Sequence, residues 1–154
     1  MLDAITSSPA LFSFLCGTLG LLVGSFLNVV ILRLPKRMEW QWKRDAREIL
    51  EEPDIYEPPP PGIVVEPSHC PHCKHKLSWY ENIPLLSWLA LRGRCRCCKS
   101  PIPLRLFLLE LLTAVFFGLT ARWIPDLASL FSLWVLAAFL LPLAMIDGQH
   151  QLLP

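Results

Sequence analysis

Charged and apolar positions are segregated along this chain rather than mixed. From Ala4 to Leu32 no side chain is charged, and further apolar blocks run from Leu104 to Ile124 and from Leu127 to Ile146. About 20 apolar residues cross a hydrocarbon core of ~30 Å at ~1.5 Å per residue. The pattern therefore predicts three transmembrane helices, the first over Leu11 to Leu34. A secretory signal begins with a basic segment, whereas Met1, Leu2, Asp3 and Ala4 open this chain and no Lys or Arg precedes Arg33. The first block reads as a permanent span. Only Pro125 and Asp126 separate the second block from the third, which predicts a tight helical hairpin with Pro where a helix can end.

Composition agrees with this reading. Of 154 residues, 53% are hydrophobic and 18% charged, and the mean hydropathy is +0.44; a disordered chain has the opposite balance. A net charge of +1 argues against a nucleic-acid partner. The distribution of charge matters more. Twelve of the fourteen Lys and Arg lie between Lys36 and Arg105. By the positive-inside rule that loop is cytoplasmic and the N-terminus outside, so the third span returns inward and Asp147 lies at its cytoplasmic end.

The loop is heterogeneous. Met38, Trp42, Ala46, Ile49 and Leu50 recur at helical spacing with Lys43, Arg44 and Arg47 on the remaining face. Such a stripe suits a helix lying on the inner leaflet, with Trp40 and Trp42 at headgroup level, or one packed on the protein's own cytoplasmic part. Pro53 to Pro67 includes four consecutive prolines, Pro58 to Pro61, and reads as a semi-rigid polyproline spacer. No internal repeat is evident.

The sharpest local signal follows. Cys70-Pro-His-Cys73 and Cys95-Arg-Cys-Cys98 are two C-x-x-C pairs with 21 residues between the inner cysteines, spacing that lets four thiolates meet one zinc ion. A reducing cytoplasm disfavours disulfides; thiol exchange is the competing use of a C-x-x-C pair. A four-thiolate site is closed and structural, with no position open for hydrolysis. Cys97 falls outside the spacing, Cys16 reads as a packing residue in the first span, and His69, His72 and His75 read as solvated bystanders. Between the pairs, Asn82 can cap a short helix running through Leu91 and ended by Gly93. Its residues Ile83, Leu85, Leu86, Trp88 and Leu89 are too apolar for so small a module to bury, so the insert should dock on the bilayer or the spans.

Three polar groups lie in or at the end of spans: Asn28, Glu110 and Asp147. A carboxylate at mid-helix costs about 2.5–3.5 kcal/mol on insertion scales. Glu110 and Asp147 fall at similar depth near the cytoplasmic side. Glu110 reads equally as a site residue or as a hydrogen-bonded packing residue. Asn28 reads as a helix-to-helix glue, since Gly20 and Gly24 make a small-residue face on the same span. Asp147 alone would be an interfacial helix-end charge, or one half of a carboxylate pair that activates water.

Five segments resemble the type IV prepilin peptidases: GSFLNVVILRLP (Gly24 to Pro35), CPHC (Cys70 to Cys73), ENIPLLSWLALRGRC (Glu81 to Cys95), LLELLTA (Leu108 to Ala114) and AMIDGQHQLLP (Ala144 to Pro154). The resemblance covers almost the whole chain, in the family's order. It implies a bifunctional enzyme of the bacterial inner membrane. Such an enzyme cleaves the basic leader of type IV prepilins or type II secretion pseudopilins after a Gly, then methylates the new N-terminus from S-adenosylmethionine. It further implies that Asp147 is the first of two catalytic aspartates, and that Cys70, Cys73, Cys95 and Cys98 are the family's cytoplasmic tetrad, linked with methylation. The family's second aspartate lies in a later G-x-G-D-x-K motif absent from these residues, so the chain looks like the N-terminal half. No glycine-rich nucleotide loop locates the methyl-donor site.

The resulting expectation is a membrane α-helical protein with three spans and a cytoplasmic zinc-ribbon-like insertion between the first and second. Its divisions are 1–34 (tail and first span), 35–67 (amphipathic helix and Pro-rich linker), 68–101 (four-cysteine module) and 102–154 (helical hairpin ending at the aspartate motif). Asp147 is the catalytic candidate, the four cysteines the structural zinc ligands, and Glu110, Gly93 and Asn28 further site candidates. The competing class is a non-catalytic membrane zinc-ribbon protein that binds pilin-like helices or assembly partners.

Overall fold

A computed structural model describes residues 8–53, 56–64, 66–70, 72–78 and 84–150. Among these, four helices occur: α1 (Pro9–Ile49), α2 (Pro84–Ala90), α3 (Leu104–Trp123) and α4 (Leu127–His150). Helices α1, α3 and α4 are each long and apolar enough to cross a membrane. The β structure among the described residues is limited to two isolated antiparallel bridges, His69 with Lys76 and Arg94 with Pro101. The Asn82 cap expected for α2 lies outside the described residues, as do Ile83 and the end of the AMIDGQHQLLP segment after His150.

The sequence pattern placed a boundary after Leu34 and a separate amphipathic helix beyond it. Instead, α1 is one helix of 41 residues that runs on through Pro35. At ~1.5 Å per residue it is about 61 Å long, twice a hydrocarbon core. Proline inside a helix removes one backbone bond and crowds the preceding turn. Here Pro35 is fully buried, and the residues that follow are good helix formers without a glycine up to Ile49. The helix ends where Leu50 N–H bonds to Ala46 O at 3.0 Å and Glu51 takes a positive φ of 54°.

Residues 57–62 and 66–67 of the Pro-rich segment lie back along this extension, antiparallel to it. Arg33 donates through Nη1 to the carbonyls of Gly62 and Glu66 and through Nη2 to that of Pro67. Arg37 donates to Pro60 O at 3.3 Å and Trp40 Nε1 to Glu57 O at 3.1 Å, while Arg47 pairs with Glu57 at 3.6 Å. Prolines lack N–H groups but keep their carbonyls, so side-chain donors from one helix face can take the place of a ladder. The segment is a strap on α1 rather than a free tether.

Helices α1 and α3 pack closely along one face of α1 that carries Cys16, Gly20, Gly24, Leu27, Asn28 and Ile31, all buried. The two glycines set the separation. A Cβ on Gly20 would stand 2.7 Å from Thr113 O, and one on Gly24 2.1 Å from Thr113 Oγ1 and 2.9 Å from Glu110 Cα. Helix α4 joins them through two apolar clusters. One contains Leu27, Ile31, Leu109 and Ile146; the other contains Cys16, Ala121 and Leu130, with Phe12, Ile124 and Trp134 against it. In the second, Trp134 stacks on Phe117 at 4.5 Å between centroids and donates to Thr120 Oγ1 at 2.9 Å. The hairpin tip is capped by Asp126, whose Oδ2 accepts from Ser129 N–H at 2.8 Å. Hydrogen bonds from the Ser129 side chain and then its backbone hold the Asp126 carboxyl below its ordinary range. Large apolar side chains such as Phe14, Phe131 and Phe139 remain exposed, as expected of surfaces that meet lipid or further protein.

Candidate metal centre and the polar cluster inside the bundle

The two C-x-x-C segments form the same turn twice, so the chain does contain a short repeat that its sequence alone did not reveal. In the first, Cys70 N–H bonds to His75 O at 2.9 Å, Lys74 N–H to Cys70 O at 3.0 Å, and Leu77 N–H to Ser68 O at 2.8 Å. In the second, Cys95 N–H bonds to Ser100 O at 2.8 Å, Lys99 N–H to Cys95 O at 3.0 Å, and Ile102 N–H to Gly93 O at 2.7 Å. Each turn puts a lysine one place after its second cysteine, and both lysines take φ 59°. Backbone bonds rather than a hydrophobic core thus aim each cysteine pair.

The pairs face each other. The Sγ atoms of Cys70, Cys73, Cys95 and Cys98 all lie within 4.8 Å of one another, with Cys70 to Cys98 at 3.8 Å and Cys73 to Cys95 at 3.9 Å. A tetrahedral ion with metal–sulfur bonds of ~2.3 Å separates its sulfurs by about 3.8 Å. The cluster is therefore of a size that could hold one metal ion. Its protons are correspondingly uneven. A backbone hydrogen bond from His75 holds the Cys73 thiol below its usual range. Cys98 is pulled down by the backbone at Ser100, yet desolvation and the thiols of Cys73, Cys95 and Cys70 push it up to about 12. Bare thiols this crowded cannot all ionise, and a cation among them removes that conflict. Cys97 is exposed and outside the cluster, and His69, His72 and His75 do not join it. Cys16 is buried in the bundle.

Gly93 stands two residues before the second turn and joins the module to the helices. Its φ is +67°, and a Cβ there would lie 2.9 Å from Cε2 and Cζ2 of Trp88. Gly93 N–H bonds to Trp88 O at 2.8 Å, closing α2. The Trp88 ring in turn packs on Phe107 of α3, centroids 4.7 Å apart. Through Trp88 the insert meets the first turn of α3.

Asn28 and Glu110 meet inside the bundle. Asn28 Nδ2 donates to Glu110 Oε1 and to Leu106 O, each at 2.9 Å. Glu110 is 0% exposed, and its Oε2 has no hydrogen-bond partner among the described residues. Thr113 Oγ1 bonds to the carbonyls of Leu109 and Glu110 and lines the same spot. Asp147 is exposed near the end of α4. Its neighbour Ile146 is buried with Leu109, so both carboxylates flank one layer of the bundle, one turned in and one out. A Cβ on Gly148 would meet nothing within 4 Å.

Residues 18–124 match the family model described as the bacterial peptidase A24 N-terminal domain. The chain belongs to that family. It is 60% identical over 136 residues to a prepilin leader peptidase/N-methyltransferase of Xanthomonas campestris pv. campestris, covering 88% of this chain and 47% of the relative. It is also 43% identical to the like-named protein of Stutzerimonas stutzeri over 152 residues, 99% of this chain and 53% of the relative. A third, from Pseudomonas aeruginosa, is 44% identical over 158 residues, 100% of this chain and 53% of the relative. The chain thus spans about half the length of these curated relatives. No solved structure matches it.

Within this chain the candidate residues fall into separate groups. The four cysteines and Gly93 belong to the module, Asn28 and Glu110 to the α1–α3 interface, and Asp147 stands apart at the far end of α4, beyond the residues matched by the family model. Three residues that were not among the site candidates complete the arrangement. Thr113 wedges under Gly24, Trp88 fills the space beside Gly93, and Arg33 clasps the strap just before the first turn. Arg33 carried a signal, being the first cation after the apolar block. Thr113 carried none.

Proposed function

We propose that this chain forms the N-terminal part of a prepilin leader peptidase and N-methyltransferase of the bacterial inner membrane. The observation that carries the reading is 60% identity to a protein of that name over 88% of the chain. The substrates are then type IV prepilins or type II secretion pseudopilins, and S-adenosylmethionine is the methyl donor.

In this reading Cys70, Cys73, Cys95 and Cys98 hold one structural zinc, which fixes the two turns as a zinc-ribbon-like unit; four-thiolate sites leave no open position for a substrate. The Lys and Arg bias puts the unit on the cytoplasmic side, and Asp147 at the inner boundary. Asp147 is the first of two carboxylates; the second belongs to a segment outside this sequence. One carboxylate takes a proton from water as it adds to the scissile carbonyl, and the other gives a proton to the leaving amine, without a covalent intermediate. The leader's positive charges stay on the cytoplasmic side while its apolar helix remains in the bilayer, which brings the scissile bond to the depth of Asp147.

The deciding experiment compares prepilin processing by the 154-residue chain, by the chain extended with the C-terminal half of a relative, and by the extended chain with Asp147→Asn. The short chain should not cleave, the extended chain should, and Asp147→Asn should abolish cleavage while metal content is unchanged. Cleavage by the short chain would put the partner carboxylate within these residues, Glu110 first. Cleavage by the extended Asp147→Asn variant would remove Asp147 from the mechanism.

A further inference from the structure

The charge of the long connection between α1 and α3 is divided in two. From Lys36 to Pro67 there are five Lys and Arg against eight Asp and Glu, a net of −3; from Ser68 to Arg105 there are seven against one, a net of +6. Four thiolates around one divalent cation contribute about −2, so the cysteine module remains strongly positive with its metal bound. The one acid in that stretch is Glu81, so the module cannot neutralise its own cations. Arg92, Arg94 and Lys99 are exposed. Arg92 and Lys99 sit on left-handed turn positions, φ 52° and 59°, in the short stretch whose backbone the second cysteine turn organises.

The module is also held against the start of a membrane-length helix. Only Pro101 to Pro103 separate the second turn from α3, and Trp88 packs on Phe107 in the first turn of that span. Next to Trp88, Leu89 is 57% exposed, on a helix of sequence PLLSWLA without a charged residue. Apolar side chains beside exposed cations, at the end of a span, are what an interfacial anchor requires.

We infer that the cysteine module seats on anionic phospholipid: Leu89 enters the acyl boundary while Arg92, Arg94 and Lys99 pair with headgroup phosphates. The occupant is a lipid surface rather than a basic substrate segment, which this face would repel. The role claimed is to hold the module at a fixed height over the bundle. It is independent of whether the chain cleaves or methylates anything.

The test places the chain in nanodiscs of phosphatidylcholine alone or mixed with phosphatidylglycerol, and follows amide hydrogen exchange over residues 88–99 by mass spectrometry. Exchange there should be several-fold slower in the anionic discs, and high salt should reverse the difference. Soluble glycerol phosphate added to neutral discs should not reproduce it, which separates a membrane surface from a free-phosphate site. Arg92→Glu/Arg94→Glu/Lys99→Glu should erase the lipid dependence with metal content retained. Equal exchange in both discs, or a lipid effect indifferent to salt, overturns the proposal even if the triple variant fails to fold. So does slowing by glycerol phosphate alone.

Discussion

Asn28 and Glu110 stand 82 residues apart in sequence and bond side chain to side chain at 2.9 Å between two membrane-length helices. Both N–H groups of the Asn28 amide are spent, one on Glu110 Oε1 and one on Leu106 O. Removing the amide therefore strips a buried acceptor of its donor, at a cost of about 1–3 kcal/mol. Asn28→Ala should lower stability in detergent by that order. Glu110→Gln keeps an oxygen toward Asn28 and carries no charge, and should stay near wild type. Asn28→Leu/Glu110→Leu should lose less than Asn28→Leu and Glu110→Leu added together. Thermal unfolding followed by circular dichroism checks all three; equal losses in Glu110→Gln and Asn28→Ala would mean that the bond does not tie the helices.

The close approach of α1 and α3 predicts a positional contrast among glycines. Gly20→Ala must push against backbone atoms of Thr113 and Ala114, and Gly24→Ala against Thr113 Oγ1 and Glu110 Cα. Overpacking of this kind costs about 1–3 kcal/mol. Gly148→Ala enters open space and should leave stability unchanged. The same unfolding measurement on the three variants is sufficient, and uniform effects would contradict the packing described.

Metal should be carried at about one ion per chain, since four thiolates make one closed site. Serine at Cys70, Cys73, Cys95 or Cys98 should cost the ion, whereas Cys97→Ser should keep it. Chelation should open residues 66–102 to proteases while α1 and α3 stay intact, because the two turns have little apolar core besides their cysteines. Elemental analysis and limited proteolysis read both outcomes. Metal-free, folded protein would remove the site, and loss of metal in Cys97→Ser would shift the ligand set.

Gly93→Ala faces two separate penalties. A left-handed φ costs a residue with a Cβ roughly 1–2 kcal/mol, and the new methyl would lie 2.9 Å from the Trp88 indole. Trp88→Leu should relieve the second penalty and leave the first. A double-mutant cycle on the protease resistance of the module should show coupling between the positions; strict additivity would mean that Trp88 is displaced at no cost.

Orientation is open to a direct check. A cysteine reporter placed within Pro58 to Pro61 should resist a membrane-impermeant thiol reagent in intact cells, and one beside Asp126 should be labelled. The reverse pattern would move the module and Asp147 to the other face.

Much of this architecture is local and was therefore legible in order of residues. Whether a segment crosses a membrane depends on the summed transfer of some twenty neighbouring side chains, so the spans containing Leu11, Leu104 and Leu127 emerge from run length alone. The cysteine spacing is local in the same sense: a C-x-x-C turn closes on itself through backbone bonds such as Lys74 N–H to Cys70 O. Even the Gly20, Gly24, Asn28 face follows from helical period. What the order of residues could not decide were the meetings between distant segments. Pro35 marks a helix end by local rules, yet α1 continues because the site is buried and the strap's carbonyls are bonded by Arg33, Arg37 and Trp40. Glu110 could have faced lipid, lumen or neighbour; only the register of α3 on α1, fixed by two glycines against Thr113, turns it to Asn28. Hydrophobic patterning fixes which face is buried but not which partner it meets, because apolar contacts are non-directional. The partner is chosen by close fit and by the few hydrogen bonds that fit permits.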